Sequence, residues 1–346
     1  AIRYRKAALD ATPANRSSRR ASACFSLAFY LARMGNFREA EEVLAQATSD
    51  QIKGIQQSRR SKKAKFIASI PIQRSHRNIS TARIALTKGE LAKAEAEVAT
   101  GLAIINKAIA EDKHSDLQLS IYDMGVTRIL IKVTLLDIKT KILLRQGRYA
   151  QAEANAREQL QVNAAQFGRK SVYTAKSLQS LVGVLNKQRR YDDAILLAEE
   201  ALAIFSDLGL KKDSHSYNAV RRALADSRIG QERWQEAAGI LQAIEEDQSS
   251  AREQFERLYR RDPNRIVAFI KTGKGDKAVA EARTIYGRLK KQLGDKHYKT
   301  AEMRGLLALG LFERGNRDEA LGHFQQAVPF LTQRSRQSGS DNGQAG

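Results

Sequence analysis

Apolar residues recur along this chain at helical spacing and almost never in alternation. Leu27 and Leu31, Leu181 and Leu185, and Leu307 and Leu311 each stand four apart, the interval that stacks side chains on one stripe of an α-helix. No alternating run of Val, Ile, Thr and Tyr is long enough to predict a sheet strand. Ala, Leu, Arg, Gln, Glu and Lys dominate, and all are good helix formers. The pattern predicts an all-α chain.

The stripes repeat. "GNFREAEEVLAQA" (35–47), "GELAKAEAEVATG" (89–101), "GRYAQAEANAREQ" (147–159) and "GNRDEALGHFQQA" (315–327) each place an Ala five residues after a Gly. The frame fits "GKGDKAVAEARTI" (273–285) and, without the Gly, "RRYDDAILLAEEA" (189–201) and "ERWQEAAGILQAI" (232–244). The anchors are Ala40, Ala94, Ala152, Ala194, Ala237, Ala278 and Ala320. Phe37, Leu91, Tyr149, Tyr191 and Trp234 lie three residues before five of them, and Ala28, Ala82, Ala225 and Ala308 lie twelve before. Each unit reads as helix, short turn, helix. Gly ends the first helix because it tolerates the left-handed conformation there. The anchor Ala marks a close helix crossing, and the larger residue before it fills the wedge alongside.

This pattern resembles the tetratricopeptide repeat. From Ala152 to Ala320 the anchors are 42, 43, 41 and 42 residues apart, longer than the ordinary unit of about 34 and similar to the kinesin-light-chain variety. "LGDKHYKTAEMRGLLALGLFERGNRDEALGHFQQAV" (293–328) and "FGRKSVYTAKSLQSLVGVLNKQRRYDDAILLAEEAL" (167–202) carry the resemblance best, with Tyr298 and Val172 where that family places Pro. The resemblance implies a right-handed α-solenoid of about seven helix-turn-helix repeats over residues 1–331, regular over 131–331. The wider spacings of 54 and 58 before Ala152 predict irregular, extended helices within 49–130, at about 49–78 and 106–130. With Ala1 on the anchor frame, residues 1–14 read as the second helix of a truncated repeat, so the chain is expected to be a fragment. Residues 332–346, "TQRSRQSGSDNGQAG", read as a polar linker.

Composition removes several kinds of chemistry. Among 346 residues there is one Cys, which excludes a disulfide framework and a cysteine zinc site. Cys24 lies in an apolar helical stripe and reads as a buried structural thiol. His76, His114, His215, His297 and His323 show no metal-ligand spacing and no HExxH frame. "GKGDKA" (273–278) reads as a repeat turn, not a phosphate loop. Paired acids such as Asp192–Asp193, Glu199–Glu200 and Glu245–Glu246 read as solvated outer faces. No catalytic residue, cofactor or metal is expected, and the chain is not expected to be an enzyme. No apolar run approaches the roughly 18 residues of a membrane span, and a cytoplasmic location is expected.

Charge adds a preference for partners. The formal net charge is +21, which favours acidic proteins or polyanions. "SRRSKKAKF" (58–66), with Arg59, Arg60, Lys62, Lys63 and Lys65, reads either as a binding surface or as a solvated helix face. Arg260 and Arg261 belong to a second basic window. In "SAREQFERLYRRDP" (250–263), Asp262 is expected to cap a new helix with Pro263 at its first position. No aromatic residue interleaves with the bases of 58–65, which weakens single-strand stacking.

The repeat resemblance also indicates where a partner would bind. First helices line the concave face of such arrays, and Asp137, Lys141, Lys176, Gln179, Asn186, Arg222 and Asp226 are expected to project there, beside Arg221. The leading expectation is a protein-interaction scaffold that takes a peptide or acidic partner in this groove. "AVPFL" (327–331) and "SRQ" (335–337), following such repeats, resemble the repeat region of bacterial proteins carrying a caspase-like CHAT protease domain. That resemblance implies a regulatory or sensor part, with any protease outside this chain. The alternative is RNA or DNA binding through basic helices 53–74 and 257–291, with affinity falling steeply in salt.

Overall fold

The computed structural model describes residues 17–33, 36–60, 70–112, 122–247 and 262–340. The described residues form fourteen α-helices and no strand. They divide between two compact units, residues 1–169 and 170–346. In the first unit, α1 (Ser17–Arg33) pairs with α2 (Phe37–Arg60), α3 (Ile70–Lys88) with α4 (Leu91–Asp112), and α5 (Tyr122–Arg145) with α6 (Tyr149–Phe167). In the second, α7 (Val172–Lys187) pairs with α8 (Tyr191–Asp207), α9 (His215–Gly230) with α10 (Trp234–Asp247), α11 (Pro263–Lys271) with α12 (Gly275–Leu293), and α13 (Tyr298–Glu313) with α14 (Arg317–Ser340).

Six turns between paired helices, all those whose residues are described, are built alike. The residue five before the anchor is left-handed at Gly89, Gly147, Gly273 and Gly315, as the glycines predict, and also at Arg189 and Glu232. The next residue's amide reaches back five positions: Glu90 to Ala85, Arg148 to Leu143, Arg190 to Leu185, Arg233 to Arg228, Lys274 to Phe269 and Asn316 to Leu311. This closure satisfies carbonyls that a helix end leaves without partners. Each anchor amide then makes an early bond of the second helix, from Ala40 to Asn36 through Ala320 to Asn316. All seven anchors are 0–1% exposed. Ala28, Ala82, Ala225 and Ala308 are fully buried, so small residues meet where the paired helices cross. The large residue before the anchor reaches further: the Tyr191 ring lies where a Cβ on Gly230, at the end of α9, would stand 2.2 Å away.

The first helices of the second unit start on side-chain caps. Ser171 accepts from the Thr174 amide, Ser214 from Tyr217, Asp262 from Asn264, and His297 from Lys299. Asp262 with Pro263 thus starts α11 as predicted. The wide early spacing is taken up by long helices: α2 and α5 have 24 residues and α4 has 22, against 17 in α8 and 14 in α10. Residues 61–69 and 113–121, within the same expectation, lie outside the described residues, as does the truncated-repeat helix of 1–14. α14 runs to Ser340 through Pro329, past the point where a linker is predicted at 332. The Thr332 hydroxyl there donates to the Val328 and Pro329 carbonyls.

One expected surface acid proves to be structural. Glu245 holds Arg265, which is 1% exposed, at 2.5 Å and Lys277 at 3.0 Å, and Glu281 pairs with the other arm of Arg265. Burial raises the Glu245 pKa, but Lys277 and Arg265 outweigh it and hold the carboxyl below its usual range. Arg265 also lies over the Phe269 ring at 4.6 Å. A buried arginine needs such partners, because an unpaired buried charge is costly. Cys24 is fully buried, as expected, and burial, with Asp50 adding, raises its thiol pKa.

Candidate partner-binding site

The expected concave-face residues fall in both units. In the first, Asp137 and Lys141 lie one turn apart on α5 and form an ion pair at 2.5 Å. Arg83 of α3, which the sequence did not single out, lies over the Phe29 ring at 5.5 Å and interacts with Asp137. Burial lowers its pKa, against the opposing pull of Asp137 and Tyr30.

The other five expected residues belong to the second unit, and three of them join one polar cluster. Asn186 of α7 donates to the Ala223 carbonyl at 3.0 Å and accepts from Ser227 at 2.7 Å, tying α7 to α9. Arg222, two turns into α9, pairs with Asp262 at 2.7 Å. Asp262 is almost fully buried and uses its second oxygen to cap α11. Asp226, one turn beyond Arg222, accepts from the Asn264 side chain at 2.6 Å. Three consecutive first helices are therefore joined through side chains that lie 37–41 positions apart in sequence.

Two carboxylates close together cannot both ionise freely. Burial and the neighbouring Asp262 push the Asp226 pKa up to about 6, against Asn264, Arg222 and Lys187, which act to lower it. Near pH 6 the group is part acid and part carboxylate, so it can donate a hydrogen bond as well as accept one. Lys176 (exposed) and Gln179 (half-buried) lie on the Asn186 stripe of α7, two to three turns toward its start. Gly183, between them and Asn186, has no atom within 4 Å of where its Cβ would stand. Space is therefore open beside α7 at Gly183. Arg221 faces elsewhere: it pairs with Asp247 at 2.5 Å and with Asn218.

Asp262, Asn264 and Ser227 belong to this cluster but were not expected. Asp262 could be read only as a cap, and the repeat frame carries no marker for the other two. Their signal is the spacing of one repeat period from Arg222, Asp226 and Asn186. The basic residues Arg59 and Arg60 lie at the end of α2, where their side chains are outside the described set; Lys62, Lys63, Lys65, Arg260 and Arg261 lie outside the described residues altogether. Among the described residues, no group of three His, Cys, Asp or Glu could hold a metal. No described helix is long and apolar enough to cross a membrane.

Residues 141–207 match the family profile of the tetratricopeptide repeat. Aspartyl phosphate phosphatase F from Bacillus subtilis shares the fold, at 11% identity and a TM-score of 0.57, covering 91% of this chain and 72% of that one. A Rap protein complexed with competence and sporulation factor aligns at 11% identity and a TM-score of 0.52, over 91% and 77%. A putative kinesin light chain from Podosopora anserina with TPR-like repeats aligns at 18% identity and a TM-score of 0.44, over 58% and 95%. A search of curated proteins finds no match. The fold is all-α, with helices packed pairwise in sequential repeats of the tetratricopeptide type.

Proposed function

We propose that the chain is a non-catalytic protein-interaction module whose second unit holds a peptide or a partner segment along its first helices. The observation that carries this is the cluster of Arg222, Asp226, Asp262 and Asn264 beside the stripe of Lys176 and Gln179, with space open at Gly183. Ion pairs and hydrogen bonds fix the cluster in place, so little ordering is needed when a guest binds. Lys176 provides a cation and Gln179 an amide, which suit a peptide backbone and an acidic side chain. The Rap protein seen with a bound factor supports the reading at the level of fold.

The test is selection of 12-residue peptides by phage display on the full chain. The enriched peptides are expected to bind about tenfold more weakly to the Lys176→Ala/Gln179→Ala variant and to Arg222→Ala. Unchanged affinity for both variants would sink the proposal. A finer reading, that this is the regulatory part of a bacterial CHAT-type protein, rests on the resemblance at 327–331 and 335–337. The reading frame beyond Gly346 tests it: a caspase-like His/Cys domain supports it, and a frame without one ends it.

Direct nucleic-acid binding through 53–74 and 257–291 is the weaker alternative. Several bases of the second window already hold acids: Arg265 holds Glu281, Lys277 holds Glu245, Arg283 holds Glu319 and Lys290 holds Asp295. Phosphate contacts would have to displace them. No binding to a generic RNA at low salt would remove this alternative.

A further inference from the structure

The late turns of the 24-residue α2 form one wall of a cleft in the first unit. Those turns carry Gln51, Ile52, Ile55 and Gln56. They stand against α3 and α4 and enclose a half-open cleft of about 410 Å³. The buried Gln51 amide donates to the Gln73 carbonyl and pins this wall to α3. Ile52, Ile55 and Ile104 supply the apolar lining, and Ile52 is 48% exposed. Arg74 and Arg77, three residues apart on α3, enter the cleft from the facing wall.

Those two arginines differ from most of the arginines in the unit. Arg20, Arg145, Arg148 and Arg157 hold carboxylates or carbonyls. Arg74 and Arg77 hold no hydrogen-bond or ion-pair partner among the described residues. No acidic residue lines the cleft. The sequence joining its two walls, residues 57–69, contains Arg59, Arg60, Lys62, Lys63 and Lys65 and no acid. The volume falls within the range of ligand sites, and guanidinium groups are suited to planar carboxylates. The isoleucines require an apolar neighbour on the ligand, which a bare phosphate lacks. No aromatic residue lines the cleft to stack a base.

We propose that this cleft of the first unit binds a partner peptide in which a Glu or Asp carboxylate, held by Arg74 and Arg77, stands next to a Leu or Ile seated against Ile52, Ile55 and Ile104. It is a second docking site, separate from the cluster at Arg222, and does not depend on it. The test uses the full chain and two fluorescein-labelled pentapeptides, one alternating Leu with Glu and one alternating Leu with Gln, followed by fluorescence polarisation at low salt. The Glu peptide should bind about tenfold more tightly than the Gln peptide. Arg74→Ala/Arg77→Ala should lose about that factor, Arg74→Lys/Arg77→Lys less, and Arg157→Ala, an exposed arginine of the same unit outside both sites, nothing. If circular dichroism shows that the double Ala variant has lost helix, Ile52→Ser takes its place and should also weaken the Glu peptide. Equal binding of the two peptides, or full binding by the double Ala and Ile52→Ser variants, would overturn the proposal. Displacement by octanoate as efficient as by unlabelled Glu peptide would overturn it too, assigning the cleft to small amphiphiles.

Discussion

Arg189 and Glu232 have φ values of 62° and 61°, a region where an L residue pushes its Cβ toward the following carbonyl. They stand at the turn position that Gly89, Gly147, Gly273 and Gly315 hold elsewhere. The turn hydrogen bonds are the same in all these repeats, so repeat closure, not the local residue, imposes the conformation. Both side chains are exposed and have little packing to lose. Arg189→Gly and Glu232→Gly are therefore each expected to raise the unfolding free energy by about 0.5–1 kcal/mol, after the entropy cost of Gly is set against relief of strain. Urea unfolding measures this, and a loss of stability would show that the side chain itself stabilises the turn. Among the described turns, the glycine rule was legible at four of six, and Gly35 lies outside the described residues. The two exceptions were visible in sequence only as gaps in the frame, and the left-handed φ they carry was not.

Between helices, small residues decide the approach. A Cβ on Gly310 of α13 would stand 2.8 Å from Val279 of α12 and 3.5 Å from Ile270 of α11. Val279 is 3% exposed and Ile270 8%, so neither has room to swing away. Gly310→Ala should cost about 1–3 kcal/mol through overpacking, despite the better helix propensity of Ala. Gly239→Ala, where a Cβ meets nothing within 4 Å, should be stabilising by up to about 1 kcal/mol. Comparing the two by chemical denaturation separates packing from propensity, and equal effects would refute the packing account. The anchor alanines were readable because a fixed interval repeats their chemistry seven times. Gly310 was not, because it serves one crossing and has no counterpart in the frame.

For the chain as a whole, the excess of positive charge matters more than any single ion pair. Net charge of +21 disfavours the compact state through self-repulsion. Exposed pairs such as Arg38–Glu42 and Lys170–Asp207 are worth only about 0.2–1 kcal/mol each. Salt screens both, but repulsion sums over the whole chain. The thermal midpoint is expected to rise by about a few degrees between low salt and about 0.3 M NaCl. A falling midpoint, followed by circular dichroism, would mean that the ion pairs outweigh the repulsion.

The sequence by itself determined the helices, their pairing and the places where they cross. All of these follow from short-range periodicity and from residues whose size or backbone freedom is needed locally. Only the tertiary structure decided which polar groups meet. The Arg222–Asp262 and Asp226–Asn264 contacts join residues about 40 positions apart, and the Arg74 and Arg77 cleft depends on how far α2 runs beyond its crossing. Apolar stripes announce themselves because burial is a property of one helix face. A polar contact depends on the partner's position to within an ångström, which is fixed only once neighbouring repeats have stacked.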